Sequence, residues 1–409
     1  MIEIKELTKI FGPEPGRALA LLDAGYDKER LLKETGHAVG VHDVSLTIRR
    51  GEIFVIMGLS GSGKSTLLRC VNRLIEPTRG QVWLDGAEVT AMDRAALREL
   101  RRRRVGMVFQ RFALLPHRTV LDNVAFGLEI RGMSRSERRE RAREALALVG
   151  LAGWEDYLPD QLSGGMQQRV GLARALATDP DVLLMDEPFS ALDPLIRREL
   201  QEELLRLQRA VHKTILFVTH DLDEALHLGD RIAIMRDGRV IQVGTPEEVL
   251  AHPADDYVRA FVQDVDRSRV FKAAHVMTDA EPVLYEGGGP RVALRAMRQA
   301  GRSSVFVVDH DNVLKGLVTA DDAVAAVQRG DVGLDHILIH DYETTGPEAL
   351  LADLIPVAAR TRYPIAVVDE RHRLLGVVAR VSLLAALAGE PAAARTGSAG
   401  GRRGARAAL

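Results

Sequence analysis

Gly58-Leu59-Ser60-Gly61-Ser62-Gly63-Lys64-Ser65 is the stretch on which the fold of this chain turns. It fits G-x-x-x-x-G-K-[ST], follows the apolar run Ile53–Met57 and opens a helix-compatible run over 65–74. Strand, glycine loop and helix in that order are the setting in which this pattern holds phosphate. The glycines let successive backbone N–H groups turn toward phosphate oxygens, and the helix start adds positive potential. Lys64 then neutralises charge on the β- and γ-phosphates, and the Ser65 hydroxyl ligates Mg²⁺. A flexible turn that happens to hold a lysine is the bland alternative, and the flanking strand and helix weigh against it.

Working outward, four apolar positions, 182–185, lead into Asp186 and Glu187. An apolar strand ending in adjacent carboxylates places them at the carboxyl edge of a parallel sheet, where ligands bind. Asp186 is expected to hold Mg²⁺, and Glu187 to orient and polarise an attacking water. Gln110, after VGMVF (105–109), can bridge the metal and the water. His220, ending TILFVTH (214–220), can donate to the γ-phosphate. A lone histidine is more often structural, but its place at a strand end after the carboxylates favours the catalytic reading.

LSGGMQ (162–167) precedes the helical run QRVGLARAL, with Ser163 near an N-cap position. A serine and two glycines before a helix form a second backbone nest for phosphate; an ordinary capped helix start is the alternative. One nucleotide needs one cradle, so a second nest predicts a homodimer whose sites each combine the loop of one chain with the nest of the other.

The bulk numbers bound the class. The 409 residues, 46% hydrophobic and 27% charged, read as two or three soluble domains. A formal charge of -2 implies no polyanion partner, so no nucleic acid is expected. Arginines 101–104 are expected on a solvated face, because no aromatic platform accompanies them. The single Cys70 rules out an internal disulfide framework and fits a reducing compartment. The first residues carry charges where a signal peptide needs an apolar core, and no run approaches the roughly 18–20 apolar residues of a membrane span. Any membrane is then served from the side.

Residues 1–13 and 38–57 read as strand-rich, separated by an insert, 14–36, of helical content whose role its spacing does not disclose. From about 115 to 160 the pattern is helical, with Ser134 and Glu137 marking a helix start. Helix and strand then alternate over 163–265, with a helix expected over 193–211. After about 270 the chain repeats itself: Val305-Phe-Val-Val-Asp309 matches Ile365-Ala-Val-Val-Asp369, and Gly316 matches Gly376, at a constant offset of 60. Each unit reads strand, turn, strand, Ala-rich helix, which predicts paired modules packed together. The Gly/Ala/Arg tail, 389–409, is expected to be disordered.

Taken in order, the 58–66 loop, Gln110, LSGGMQ, MDEPFSALD (185–193) and His220 resemble the ABC ATPases. Met166 before Gln167 departs mildly from that family's LSGGQ. The resemblance implies an α/β P-loop NTPase, a RecA-like core over 1–265 with a helical subdomain over about 112–165. It implies ATP and Mg²⁺ held by Gly58, Leu59, Ser60, Gly61, Ser62, Gly63, Lys64, Ser65, Thr66, Gln110, Asp186 and His220. Phe11 takes the place of an aromatic that stacks on adenine. Ser163, Gly164, Gly165 and Gln167 serve the partner's nucleotide, and Asp193 lies in the loop linking the two sites.

The 14–36 insert and FQRFALLPHRTVLDNVAFGLE (109–129) resemble the glycine betaine/proline (quaternary amine) importer ATPases, which work with a permease and, indirectly, a substrate-binding protein at the cytoplasmic face of the membrane. The repeats, 272–332 and 333–388, resemble the α+β tandem CBS modules of the same subfamily. CBS modules bind adenosine-type nucleotides through T-x-x-D; Thr319 and Asp322 supply it in the first repeat, whereas 379–382 lacks the acid. The resembled modules are linked to gating by ionic strength. Here the basic tail (Arg395, Arg402, Arg403, Arg406) is expected to touch anionic lipid, an attraction that salt screens. Three rival readings stand beside this one: a soluble ABC ATPase of repair or translation, an importer ATPase for a polar amino acid or sugar, and a non-hydrolysing sensor. The first usually needs a second cassette or a long coiled coil, and Lys64, Glu187 and His220 oppose the last.

Overall fold

The computed structural model describes residues 1–110, 113–285 and 288–389, so the arginines of the basic tail and its expected disorder lie outside the described residues. The chain divides into two units, the first spanning Met1–Gln263. It opens with β1 (Ile2–Phe11), α1 (Pro15–Asp23), α2 (Lys28–Thr35), β2 (Ala38–Ile48), β3 (Ile53–Met57), α3 (Lys64–Val71), β4 (Arg79–Leu84) and β5 (Ala87–Glu88). It continues through α4 (Arg94–Arg103), β6 (Val105–Val108), α5 (Val120–Ile130), α6 (Arg135–Leu148), α7 (Gly164–Ala177), β7 (Val182–Asp186), α8 (Pro194–Val211) and β8 (Thr214–Thr219). Then follow α9 (Leu222–Leu228), β9 (Arg231–Arg236), β10 (Arg239–Gly244), α10 (Pro246–Ala251) and α11 (Asp256–Val262).

Two sheets result. One is antiparallel, in the order β2-β1-β4-β5; the other runs β10-β9-β3-β8-β7-β6, parallel except for β10. β3, β7 and β8 are buried at every position, as continuous apolar runs must be in a sheet covered on both faces. One apolar cluster joins Ile4, Leu7 and Val82 of the first sheet to Phe54, Leu184 and Leu216 of the second, with Leu67, Leu68 and Cys70 of α3 among them. Each such side chain contributes about 1.5–3 kcal/mol on burial. Burial also pushes the Cys70 thiol up to about 12. The native chain is therefore expected to resist alkylation by iodoacetamide at pH 8 and to react in denaturant; rapid labelling of the native chain would contradict this placement of α3.

The 115–160 stretch becomes α5 and α6, and the run that LSGGMQ opens becomes α7, each started by a side-chain cap from Thr119, Ser134 or Ser163. Fully buried Asn123 ties the preceding loop to α5: its Oδ1 accepts from Leu115 N–H, and its Nδ2 donates to the Leu115, Arg118 and Thr119 carbonyls. The expected solvated face at 101–104 is corrected. Only Arg103 is exposed; Arg101 Nε donates to the Asn72 carbonyl, Arg102 to Ile130, and Arg104 pairs with Asp181 at 2.6 Å. A guanidinium's stem packs readily while its fork finds carbonyls, so charge alone did not place these residues outside.

The second unit, from Asp264, contains α12 (Ala273–Val276) and two copies of one motif. The first is β11 (Val283–Leu284), α13 (Pro290–Ala300), β12 (Ser304–Val308), β13 (Leu314–Thr319) and α14 (Ala320–Arg329). The second is β14 (Thr344–Thr345), α15 (Leu351–Arg360), β15 (Ile365–Val368), β16 (Leu374–Val378) and α16 (Arg380–Ala388). The copies agree to the register: Val307 faces Gly316 and Val367 faces Gly376, each pair followed by a register shift. The sheets pack together through Phe306, Leu314 and Leu317 against Ala366, Leu374 and Val377. Thr278 bridges to Val377 and Ile339 to Leu317, so the lead-in of each copy pairs with the sheet of the other.

Candidate nucleotide site

The register of the parallel sheet assembles the site. Met57 of β3 lies opposite Thr219 of β8, Asp186 of β7 opposite Val218, and Val108 of β6 opposite Met185. Gly58, His220, Glu187 and Gln110 are the first or second residues past those strand ends, so all four emerge at one edge. That edge, the carboxyl end of the strands, is where open parallel sheets take their ligands.

In the loop, Gly63 has φ +101°, and a Cβ there would stand 2.1 Å from the Gly40 carbonyl oxygen, so only glycine allows this turn into α3. Lys64 is 4% exposed; its Nζ donates to the Gly58 and Leu59 carbonyls at 2.8 and 3.0 Å and lies 3.9 Å from Glu187 Oε1. Burial lowers the Lys64 pKa from its ordinary value, against the opposing pull of Glu187 and Asp186. Leu59, Ser60 and Gly61 are exposed, and the buried Ser62 hydroxyl has no partner among the described residues. An exposed glycine loop with an orphan hydroxyl and a buried ammonium suits a phosphate chain.

Ser65 Oγ donates to Asp186 Oδ1 at 2.7 Å, and Arg69, one turn further along α3, holds Oδ2 at 3.0 Å. No three carboxylate, histidine or cysteine groups converge as an all-protein metal cage among the described residues. One hydroxyl beside one carboxylate nevertheless fits Mg²⁺, which keeps waters and completes its shell with phosphate oxygens. Glu187 sits next to this pair with φ +46°, and its N–H donates to the Val218 carbonyl at 3.0 Å. Such backbone costs about 1–3 kcal/mol and is held by its surroundings at functional positions. Its Oε2 lies 3.1 Å from His220 Nδ1 and accepts from Gln110 Nε2 at 3.2 Å.

Lys64, Ser65, Gln110, Asp186, Glu187 and His220 are thus brought together. Thr66 and Phe11 flank them, the Phe11 ring and the Thr66 methyl both standing over Gly40. The 162–167 segment is not brought to this loop by hydrogen bonds among the described residues: Ser163 accepts from Met166 N–H, and Gln167 Nε2 donates to the Pro159 and Leu162 carbonyls. Ser163 and Gly164 remain exposed, whereas Gly165 is a packing glycine whose Cβ would meet Ile196 of α8 at 2.4 Å. Asp193 caps α8, accepting from Ile196 N–H at 3.1 Å.

The sequence reading missed three supporting groups. Arg69 was findable as the i+4 neighbour of Ser65 on one helix face. Ser190 donates to the Glu187 carbonyl at 3.0 Å. Buried Glu224 accepts from Thr219 Oγ1 at 2.6 Å and from Gln201 Nε2 at 3.1 Å, bracing the turn that carries His220. Burial raises the Glu224 pKa, and no local sequence signal pointed to it.

Beside the strand leading to Gln110 lies a groove of about 600 Å³ between α4, β6, α5 and α7, lined by Arg73, Arg94, Arg98, Arg101, Arg102 and Arg174 with Glu76. In the second unit, Thr319 caps α14, accepting from Asp322 N–H at 3.2 Å and donating to the Asp322 carboxylate at 2.5 Å. Ala379, its counterpart, offers no such cap.

Residues 41–190 match the ABC transporter family, and 273–329 match the CBS domain. The glycine betaine/carnitine transport ATP-binding protein GbuA of Listeria monocytogenes is 55% identical over 388 residues, covering 95% of this chain and 98% of that protein. The chain belongs to the ABC transporter ATP-binding proteins. The glycine betaine transport ATP-binding protein OpuAA of Bacillus subtilis, another such protein, is 52% identical over 95% of this chain and 92% of its own length. The post-hydrolysis dimer of the ATP-binding cassette MJ0796, bound to ADP and Pi, is a solved ABC structure of the same fold. It has a TM-score of 0.52 and 36% identity, covering 60% of this chain and 99% of that one. As an ABC ATPase, the chain binds ATP and couples its hydrolysis to transport. No helix among the described residues is long and apolar enough to cross a membrane.

Proposed function

We propose that this chain energises uptake of glycine betaine or a related quaternary amine through a separate membrane-embedded permease, hydrolysing ATP as a homodimer on the cytoplasmic side. The observation that carries the hydrolytic part is the meeting of His220, Gln110 and Lys64 on one carboxylate, Glu187. Glu187 orients water and takes its proton as the water oxygen attacks the γ-phosphorus and the bond to the β-phosphate oxygen breaks. His220 and Lys64 donate to the phosphoryl oxygens, and Gln110 holds the water. Ser65 and Asp186 would hold Mg²⁺, which when bound would neutralise charge on the β- and γ-phosphates. The exposed Ser163-Gly164 helix start, which makes no hydrogen bond to the phosphate loop among the described residues, suits the γ-phosphate held by a second copy; the MJ0796 dimer supports that arrangement.

The names of GbuA and OpuAA support the solute class. The arginine-lined groove suits an acidic segment of the permease, because it adjoins the strand that carries Gln110 and so connects docking to the water site. The second unit is assigned a regulatory role, with Thr319 and Asp322 as the place for an adenosine-type nucleotide.

The test is reconstitution of the full chain with its permease and binding protein, reading ATPase stimulation over a salt series. Glycine betaine or carnitine should stimulate; stimulation by a polar amino acid or a sugar alone would move the chain to another importer class. Arg98→Glu should lower the stimulated rate, and an undiminished rate would remove the groove from docking. Asp322→Ala leaving the salt response unaltered would dissociate that residue from regulation.

A further inference from the structure

The two-helix insert has no part in the chemistry above, yet it is built onto the side of the nucleotide site. Its core is Ala18, Leu22 and Leu31 packed on Ile10 of β1 and Val39 of β2. A register shift between Lys9 and Ile10 turns Ile10 into that core and leaves Phe11, 40% exposed, at the edge of the strand. The Phe11 ring lies over Gly40, where a Cβ would meet it at 2.8 Å and the Thr66 methyl at 3.1 Å. The ring is therefore beside the first turn of the phosphate-binding helix.

His37 closes the base of the insert. It is 5% exposed, and its Nε2 accepts from the Glu14 N–H at 3.2 Å, which leaves the proton on Nδ1 to serve the Thr35 carbonyl and hydroxyl, each at 3.0 Å. Its ring edge abuts Gly12, the residue after Phe11: a Cβ on Gly12, at φ +145°, would stand 2.2 Å from His37 Cδ2. One imidazole thus ties the start of the insert to its end and walls the backbone that carries Phe11.

We propose that His37 is a positioning residue for the nucleotide base, holding the insert closed so that the Phe11 ring presents a fixed stacking face. The inference rests on the reading that the base of ATP stacks on Phe11. With the ring preset, ordering it on binding costs little; without His37 the ring must be ordered by the ligand itself.

The test compares binding of the β,γ-imido analogue of ATP with binding of inorganic tripolyphosphate, which has no base, to the full chain with Mg²⁺. Phe11→Ala should weaken the analogue roughly 10- to 100-fold, in the range of base–aromatic stacking, and leave tripolyphosphate within about two-fold. His37→Ala should weaken the analogue about 3- to 10-fold, again sparing tripolyphosphate, and add nothing in the Phe11→Ala background. His37→Gln, whose carbonyl can accept from Glu14 N–H, should recover most of the loss. Gly12→Ala, which drives a methyl into the imidazole, should reproduce the base-selective loss if His37→Ala fails to fold. Unchanged analogue binding in Phe11→Ala would sink the stacking reading itself. A normal Phe11 effect with equal losses for both probes in His37→Ala, or with additive losses, would overturn the positioning role alone.

Discussion

Glu187→Gln is expected to retain ATP and to hydrolyse it roughly 100- to 10,000-fold more slowly, the usual worth of a positioned proton acceptor. The amide is isosteric, and its oxygen can still accept from the Gln110 amide that bonds Glu187 Oε2 at 3.2 Å. What disappears is the carboxylate charge, and with it the base. Because the closed state then cannot discharge its nucleotide, ATP should shift the variant to a dimer on size-exclusion chromatography. Adding Ser163→Arg should abolish that dimer while each chain still binds ATP, since the guanidinium would occupy the space of the partner's γ-phosphate. Near-normal phosphate release by Glu187→Gln would take the residue out of the catalytic role. A persistent dimer in the double variant would refute the shared site.

Lys64→Ala is expected to lose ATP affinity by about 10- to 150-fold, the equivalent of about 1.5–3 kcal/mol for a hydrogen bond to a charged group. The thermal midpoint of the nucleotide-free chain should change little, the lost bonds to the Gly58 and Leu59 carbonyls offsetting relief of the buried ammonium. Lys64 Nζ satisfies two loop carbonyls, but burial already lowers its pKa, so the folded chain gains little from keeping an ammonium there. Isothermal titration and a melting curve on one preparation separate the two effects. Equal affinity would discredit the cradle. A lowered midpoint accompanying the affinity loss would make Lys64 a structural residue as well.

Much of this was legible locally. The loop 58–65, the carboxylates at the end of β7 and the twofold repeat after 270 are short-range signals: each needs only neighbours within a turn or a strand, or a comparison of the chain with itself. The insert was read as helical, and two capped or closed helices stand there. Where the reading faltered, the partner was distant. Arg102 finds a carbonyl 28 residues away and Arg101 one 29 residues away, so a basic run that looked solvated is half-buried. Gly165, expected in the phosphate nest, also makes room for Ile196 of α8, a distant partner that the sequence did not show. Glu224, a plain acid on a short helix, is buried because Gln201 and Thr219 meet it there.

The amino-acid sequence by itself determined the chemical inventory: a glycine-rich cradle with its lysine, a carboxylate pair after an apolar strand, a histidine and a glutamine at strand ends, and two copies of a small α+β module. Local backbone preference and hydrophobic period specify such things residue by residue. Only the tertiary structure decided that Glu187 stands between Lys64, Gln110 and His220, that Arg69 holds the Asp186 carboxylate, and that the insert closes on His37 next to Phe11. Those meetings depend on strand order and register across long stretches of chain, such as the 163 residues between Gly51 and Thr214, which are hydrogen-bonded. Pairing over such distances is set by the packing of the whole core, which no local pattern encodes.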